Sequence, residues 1–228
     1  DFIADELHRQ GVKVIFEMIG GMITHIIDSV HQKGQIKIVS VHHEQAAGFS
    51  AEAVGRMSGV PGVALATSGP GATNLVTAIG SCYFDSVPTV FITGQVNTTE
   101  LSSGRALRQQ GFQETDIVSV VKPITKAAWQ LETAADLPRM MRAAFKLARE
   151  GRCGPVLLDL PMDLQRVEIE VEELVEDTAS LSLDPQVSAF ASEVAKAMTE
   201  AERPLIIAGG DIRSANVYEA FVQVIGEM

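Results

Sequence analysis

Cysteine, aromatic side chains and positive charge are all scarce in this chain of 228 residues. Its two cysteines, Cys82 and Cys153, lie far apart with no Cys-x-x-Cys spacing and no neighbouring histidine. That excludes a disulfide framework and a zinc ribbon, and leaves two buried reduced thiols whose default compartment is the cytoplasm. Lys and Arg number 18 against 29 Asp and Glu, a net charge of −11 with no basic cluster. Nucleic acid and anionic membranes are therefore poor candidate partners. No apolar run outgrows a strand and no charged leader precedes one, so neither a membrane-spanning helix nor a secretory signal is expected. No Gly-Lys-Ser/Thr occurs, which excludes a P-loop. What is present, 46% hydrophobic and 21% charged residues, suits a globular fold of one full domain plus additional material. The chain opens at Asp1 without Met, inside a helical pattern, so a segment upstream is expected.

Apolar, β-branched runs bounded by Gly and Pro recur at Val12 to Phe16, Ile36 to Val41, Gly62 to Thr67, Pro88 to Gly94, Ile124 to Leu131 and Gly154 to Leu160. Continuous runs of this kind suit strands covered on both faces. Between most of them lie segments of helical period: Phe2 to Gln10, Met22 to Lys33, Glu44 to Ser58, Ala72 to Phe84 and Leu137 to Glu150. The last has Asp136 as its expected N-cap, Pro138 in its first turn and Gly151 just past its end. This alternation predicts an α/β fold, a doubly wound parallel six-stranded sheet.

Residues 168–184 form an acidic stretch without Gly, read as a linker. Beyond it a pattern restarts, with Pro185 to Ala201 as a helix, Pro204 to Ala208 as a strand, Gly209-Gly210 as a turn and Asn216 to Ile225 as a helix. One strand with two helices cannot cover a sheet by itself, so residues 185–228 read as the start of a second Rossmann-like unit that needs more chain or a partner surface.

The strand ending at Thr67 runs into Ser68-Gly69-Pro70-Gly71-Ala72-Thr73-Asn74 and a helix. Glycines there let a ligand approach the backbone, and the helix start offers free N–H groups. A tight turn needing only small residues is the plainer reading. A dinucleotide fingerprint fits poorly, because Asn74 stands where its third Gly belongs. The strand ending at Val41 leads to His42-His43-Glu44-Gln45. Adjacent histidines point in different directions and have no partner pair one turn on, so a metal site is not expected. Glu44 begins a helix at the edge where open α/β sheets bind ligands, among Ala, Gly and Phe neighbours. It is either a partly desolvated carboxyl able to share a proton, or a solvated first-turn Glu favoured by the helix dipole.

Together, seven strings resemble the acetolactate synthase-like family of thiamine diphosphate enzymes, in that family's order. They are Glu17-Met18-Ile19-Gly20-Gly21, His43-Glu44-Gln45-Ala46-Ala47, Ala66 to Asn74, Asp85-Ser86-Val87-Pro88, Ile92-Thr93-Gly94-Gln95-Val96, Gly111 to Ile117, and Gly154 to Pro161. The resemblance covers nearly all of residues 1–167 and implies that they form the domain binding the cofactor's aminopyrimidine. Pro204 to Gly210 resembles the start of the family's central domain. By the same resemblance Glu44 is the catalytic glutamate that hydrogen-bonds a pyrimidine nitrogen and drives the imino tautomer. The imino nitrogen then takes the thiazolium proton. Pro70, Gly71 and Asn74 match the turn against the pyrimidine, and Gly21 and Met22 the loop facing it. Phe112 and Gln113 match residues near the substrate, with Gln113 a further catalytic candidate. The implied reaction starts from a 2-keto acid, usually pyruvate, and passes its two-carbon unit to a carbonyl acceptor.

The sequence also departs from acetolactate synthases proper, which usually carry Pro at the position of Ile19 and Lys at that of Met162. It has a longer loop, Asn97 to Gln110, containing Arg105 and Arg108. These changes fall where the family binds flavin and acceptor, leaving open FAD, the acetolactate reaction, a simple decarboxylase, and transfer to an acceptor such as a nucleotide-linked keto sugar. Two extra arginines suit a phosphate-bearing acceptor, or a solvated loop. The family's Gly-Asp-Gly motif and later Asn, which hold diphosphate and Mg²⁺, are not in this sequence; Gly209-Gly210-Asp211 and Asn216 are out of order and too close. Mg²⁺ ligands are thus expected in a further C-terminal domain, and this chain alone should neither bind the cofactor tightly nor catalyse. A reading of another class is a non-catalytic nucleotide- or flavin-binding module. The Ala- and Gly-rich helices Glu44 to Ser58 and Ala72 to Phe84 suit packing against a second copy, so a homodimer or homotetramer is expected.

Overall fold

A computed structural model of the chain describes residues 1–102, 104–171 and 185–226. In order, the first unit contains α1 (Phe2–Arg9), β1 (Val14–Met18), α2 (Thr24–Lys33), β2 (Lys37–Ser40), α3 (Glu44–Ser58), β3 (Gly62–Ala66), α4 (Pro70–Asn74) and α5 (Val76–Phe84). It continues with β4 (Thr89–Gln95), α6 (Ile117–Val121), β5 (Ala127–Gln130), α7 (Leu137–Arg149) and β6 (Pro155–Pro161). The six strands form one parallel sheet in the order β2-β1-β3-β4-β6-β5. All six expected strands are present, and α3 has the expected bounds.

Strands β3, β4 and β6 are buried along their whole length, whereas the edge strands β2 and β5 are not. Alternate side chains feed two cores. On one face Ile15, Val63, Leu65, Ile92 and Leu158 pack with Leu7, Ile26, Met141 and Phe145 from α1, α2 and α7. On the other, Ala64, Ala66, Phe91 and Leu157 pack with Ala47, Ala51, Ala78 and Ile79 from α3 and α5. The second core is built from small residues so that α3 can lie close. A Cβ on Gly48 would fall 2.4 Å from the Ala78 Cβ, and one on Gly55 2.2 Å from the Pro88 carbonyl oxygen. The Ala and Gly stripe expected to pack against another copy is therefore used inside this unit.

Several local expectations are corrected. Asp136 precedes α7, but its carboxylate accepts from Thr133 Oγ1 and Arg139 Nη2, each at 2.9 Å, and makes no cap bond. The backbone at Asp136 is already helical, which turns its side chain away from the N–H groups it would cap. The helix expected from Ala72 begins two residues earlier, because Pro70 sacrifices no bonded N–H there, and it breaks at Leu75 into α4 and α5. The helix expected from Met22 starts with a tighter turn over Gly21–Ile23. Cys153 is only half buried, unlike Cys82, and both are free thiols.

Residues 171–210 cluster as a second unit, while 211–228 cluster with the first. The second unit holds α8 (Pro185–Glu200), and residues 211–226 form α9 (Asp211–Ser214) and α10 (Tyr218–Gly226). Residues 204–208, expected to be a strand, carry no ladder pairing, and Leu205 and Ile207 are 85% and 90% exposed. Their backbone finds no neighbouring strand among the described residues. Most of the expected linker, residues 172–184, lies outside the described residues.

Candidate active site

The strand order reverses between β1 and β3, and the three loops leaving β1, β2 and β3 converge at their C-terminal ends. Crevices at such reversals are where open α/β sheets take ligands. His43, extended at φ −161°, caps α3 by accepting from Gln45 N through Nδ1 at 3.1 Å. This gives His43 a capping role. Among the described residues no group of three His, Cys, Asp or Glu could hold a metal ion.

Capping places Glu44 as the first residue of α3, partly buried. Its Oε2 accepts from Asn74 Nδ2 at 2.8 Å. Oε1 lies over Gly71, where an added Cβ would come within 3.2 Å of it. The carboxyl is thus steered by Asn74 on one oxygen and left clear on the other by the absence of a side chain at Gly71.

Thr67, at the end of the third apolar run, packs against the loop leaving β1 and against Gly71 of its own loop. A Cβ on Gly20 would lie 2.5 Å from the Thr67 Cβ, and one on Gly71 2.8 Å from its Cγ2. Its Oγ1 accepts from Met22 N at 3.3 Å. Met22 is held again through its carbonyl, which accepts from Gln165 Nε2 at 2.8 Å. Gln165 also escapes sequence reasoning, since nothing local marks a residue whose partner lies at the far end of the domain. Gly21 borders open space, with no atom within 4 Å of where a Cβ would stand.

Gln113 reaches this cluster through its Cβ and its carbonyl oxygen. A Cβ on Gly69 would fall 2.7 Å from the Gln113 Cβ. Gly69 adopts φ 61° and ψ −127°, which suits glycine, and Gln113 sits at φ 63°. The structure therefore brings together Glu44, Gly71, Asn74, Met22 and Gln113, with Gly21 and Pro70 exposed on the rim. Phe112 is 75% exposed. Arg105 and Arg108 are exposed on their loop.

A second polar cluster gathers residues from two of the strings, Ile92 to Val96 and Gly154 to Pro161, to which the sequence assigns no role. Asp159 on β6, 1% exposed, accepts from Thr93 Oγ1 at 2.7 Å and from Gln95 and Gln130 Nε2, each at 2.9 Å. Burial pushes its carboxyl up to about 6, against the pull of those three donors. Burial likewise pushes the Cys82 thiol up to about 12, making it a poor nucleophile.

Would an aminopyrimidine fit? The site offers a steerable carboxyl beside a glycine floor, with an open loop opposite, which is the donor and shape set that a flat ring bearing nitrogens requires. Comparison with known proteins agrees. Residues 1–120 match the family model described as thiamine pyrophosphate enzyme, N-terminal TPP binding domain. The chain is 39% identical, over 97% of its length, to the acetolactate synthase large subunit of Lactococcus lactis, covering 38% of that protein. It is 36% identical over 94% of its length to acetolactate synthase isozyme 1 large subunit of Escherichia coli, covering 37%. It is 37% identical over 97% of its length to the probable acetolactate synthase large subunit of Methanocaldococcus jannaschii, covering 37%. The chain thus spans a little over a third of these relatives. By its sheet, its convergent loops and this match over more than half its residues, it belongs to the family of thiamine pyrophosphate enzyme N-terminal domains.

Proposed function

We propose that residues 1–167 are the pyrimidine-binding domain of a longer thiamine diphosphate-dependent carboligase acting on a 2-keto acid such as pyruvate. The observation that carries this reading is the Glu44 carboxyl, oriented by Asn74 at 2.8 Å above Gly71. Glu44 exchanges a proton with a pyrimidine nitrogen at Oε1, while Asn74 holds Oε2 and prevents the carboxyl from rotating away. Gly71 and Pro70 form the surface under the ring, and Met22, pinned by Thr67 and Gln165, forms the wall opposite. Gln113, with Phe112, faces the substrate and excludes water. When bound, thiamine diphosphate supplies a carbon nucleophile that adds to the keto group and holds the electron pair left when CO₂ departs.

In this reading 168–184 is a linker, 185–228 begins the central domain, and the ligands for Mg²⁺ and diphosphate lie in further chain. The apolar side chains left exposed on α8, Val187 and Phe190, fit a unit awaiting cover. We also propose a homodimer or homotetramer in the cytoplasm. Although their small residues are used internally, α3 and α5 leave Phe49, Met57, Tyr83 and Phe84 exposed. A second reading of the acceptor rests on Arg105 and Arg108, exposed on the 97–110 loop. These favour a phosphate-bearing carbonyl acceptor.

The test is CO₂ release by the full-length enzyme. Turnover of pyruvate that requires both thiamine diphosphate and Mg²⁺ is expected. Failure to turn over any 2-keto acid would overturn the assignment. The flavin absorbance of the same preparation decides FAD, and a panel of carbonyl acceptors decides between the two acceptor readings.

A further inference from the structure

The turn under the ring is not held by its own strand alone. Gln113 covers Gly69, and its left-handed backbone at φ 63° is unfavourable for a residue with a side chain. Such a conformation persists only where surrounding groups determine it. Within the segment, Glu114 accepts from Ser102 N at 2.6 Å and Gln110 N at 2.7 Å, and Ile117 N donates to the Thr115 carbonyl at 2.9 Å.

A further tie runs to the sheet. Gln95, the last residue of β4 and 1% exposed, donates from Nε2 to the Thr115 carbonyl at 2.8 Å and to Asp159 Oδ2 at 2.9 Å. Its Oε1 accepts from Val96 N at 3.0 Å. Every polar atom of this amide is therefore used. Its orientation is fixed, because flipping it would set its oxygen against a carboxylate and a carbonyl and leave the Val96 N–H without an acceptor. Asp159 is in turn fixed by Thr93 and Gln130 from strands on either side.

We propose that Gln95, anchored by Asp159, is a positioning residue whose amide holds the Gly111–Asp116 segment so that Gln113 closes over the Gly69 turn. This rests on the reading of that turn as the cofactor seat. Gln95 touches neither ring nor substrate; it acts through the Thr115 carbonyl, two residues from Gln113.

The experiment uses the full-length enzyme with two variants. Gln95→Met keeps the volume and removes both donated bonds. Asp159→Asn still accepts from both glutamine amides, its own NH₂ turning to the Thr93 hydroxyl. Hydrogen exchange of the Gln113–Ile117 amides in Gln95→Met is expected to rise about tenfold, the loss of one buried hydrogen bond. KM for pyruvate should rise about tenfold with little change in thiamine diphosphate affinity or in exchange elsewhere in the sheet, and Asp159→Asn should stay within about threefold of wild type. Exchange of that segment within about twofold of wild type, or a rise spread evenly over the sheet, would overturn the proposal. Should the wild-type enzyme turn over no 2-keto acid, the functional reading fails, and the exchange comparison alone decides this one.

Discussion

Asn74 donates its side-chain amide to Glu44 at 2.8 Å, so the last residue of one helix sets the carboxyl at the start of another. Removing the amide frees the carboxyl to rotate without emptying the site. In the full-length enzyme Asn74→Ala should therefore lower kcat by roughly 10- to 100-fold, the worth of one hydrogen bond to a charged group. Steady-state kinetics at saturating cofactor checks this, and Asn74→Asp, which cannot donate at neutral pH, should be no better.

Gly71→Ala tests the floor. The new Cβ would lie 2.8 Å from Thr67 Cγ2 and 3.2 Å from Glu44 Oε1, in the space assigned to the ring. In the full-length enzyme thiamine diphosphate affinity should fall by at least about tenfold, while the protein, whose helix propensity the change improves, stays folded. Isothermal titration alongside circular dichroism separates the two effects.

Asp159 carries a pH signature. Its folded value of about 6 exceeds the unfolded one, because burial outweighs the hydrogen bonds from Gln130, Thr93 and Gln95, and the charge of Asp116 adds to the effect. The folded state then holds the extra proton between the two values. Its contribution is fully present below about pH 4 and lost as pH rises through 6. Relative to Asp159→Asn, the wild type should gain about 1 kcal/mol on going from pH 8 to pH 5.5. Urea unfolding at the two pH values measures it, and an unchanged difference between the proteins would contradict the assignment.

How much of this was legible in the sequence follows from how local each signal is. The buried strands announce themselves because a run such as Val63-Ala-Leu-Ala66 needs cover on both faces, and that requirement is written in consecutive residues. Glu44 and the Gly69–Asn74 turn were legible for the same reason, each being a short string at a strand end. The pairing of Thr67, of Gln165 and of Thr93, Gln95 and Gln130 around Asp159 was not, although Thr67, Thr93, Gln95 and Asp159 stand in strings that carry the resemblance. Each is an ordinary polar residue whose meaning comes from partners on other strands, and no periodicity marks it. The strand expected at 204–208 shows the converse: its β-branched residues satisfy the local pattern, but a strand exists only with a neighbour to pair. Small residues on α3 carry two meanings, since Gly48 suits a partner helix in another copy and also Ala78 in its own, and the second contact is formed.

The central claim is that Glu44 moves the proton that prepares the cofactor. It is tested most directly by the rate at which the thiazolium C2 proton of bound thiamine diphosphate exchanges with deuterated water in the full-length enzyme and in Glu44→Gln. The account expects the variant to bind cofactor and to exchange at least about 100-fold more slowly, the lower range for loss of a general acid–base. Exchange in Glu44→Gln within about threefold of wild type would contradict it.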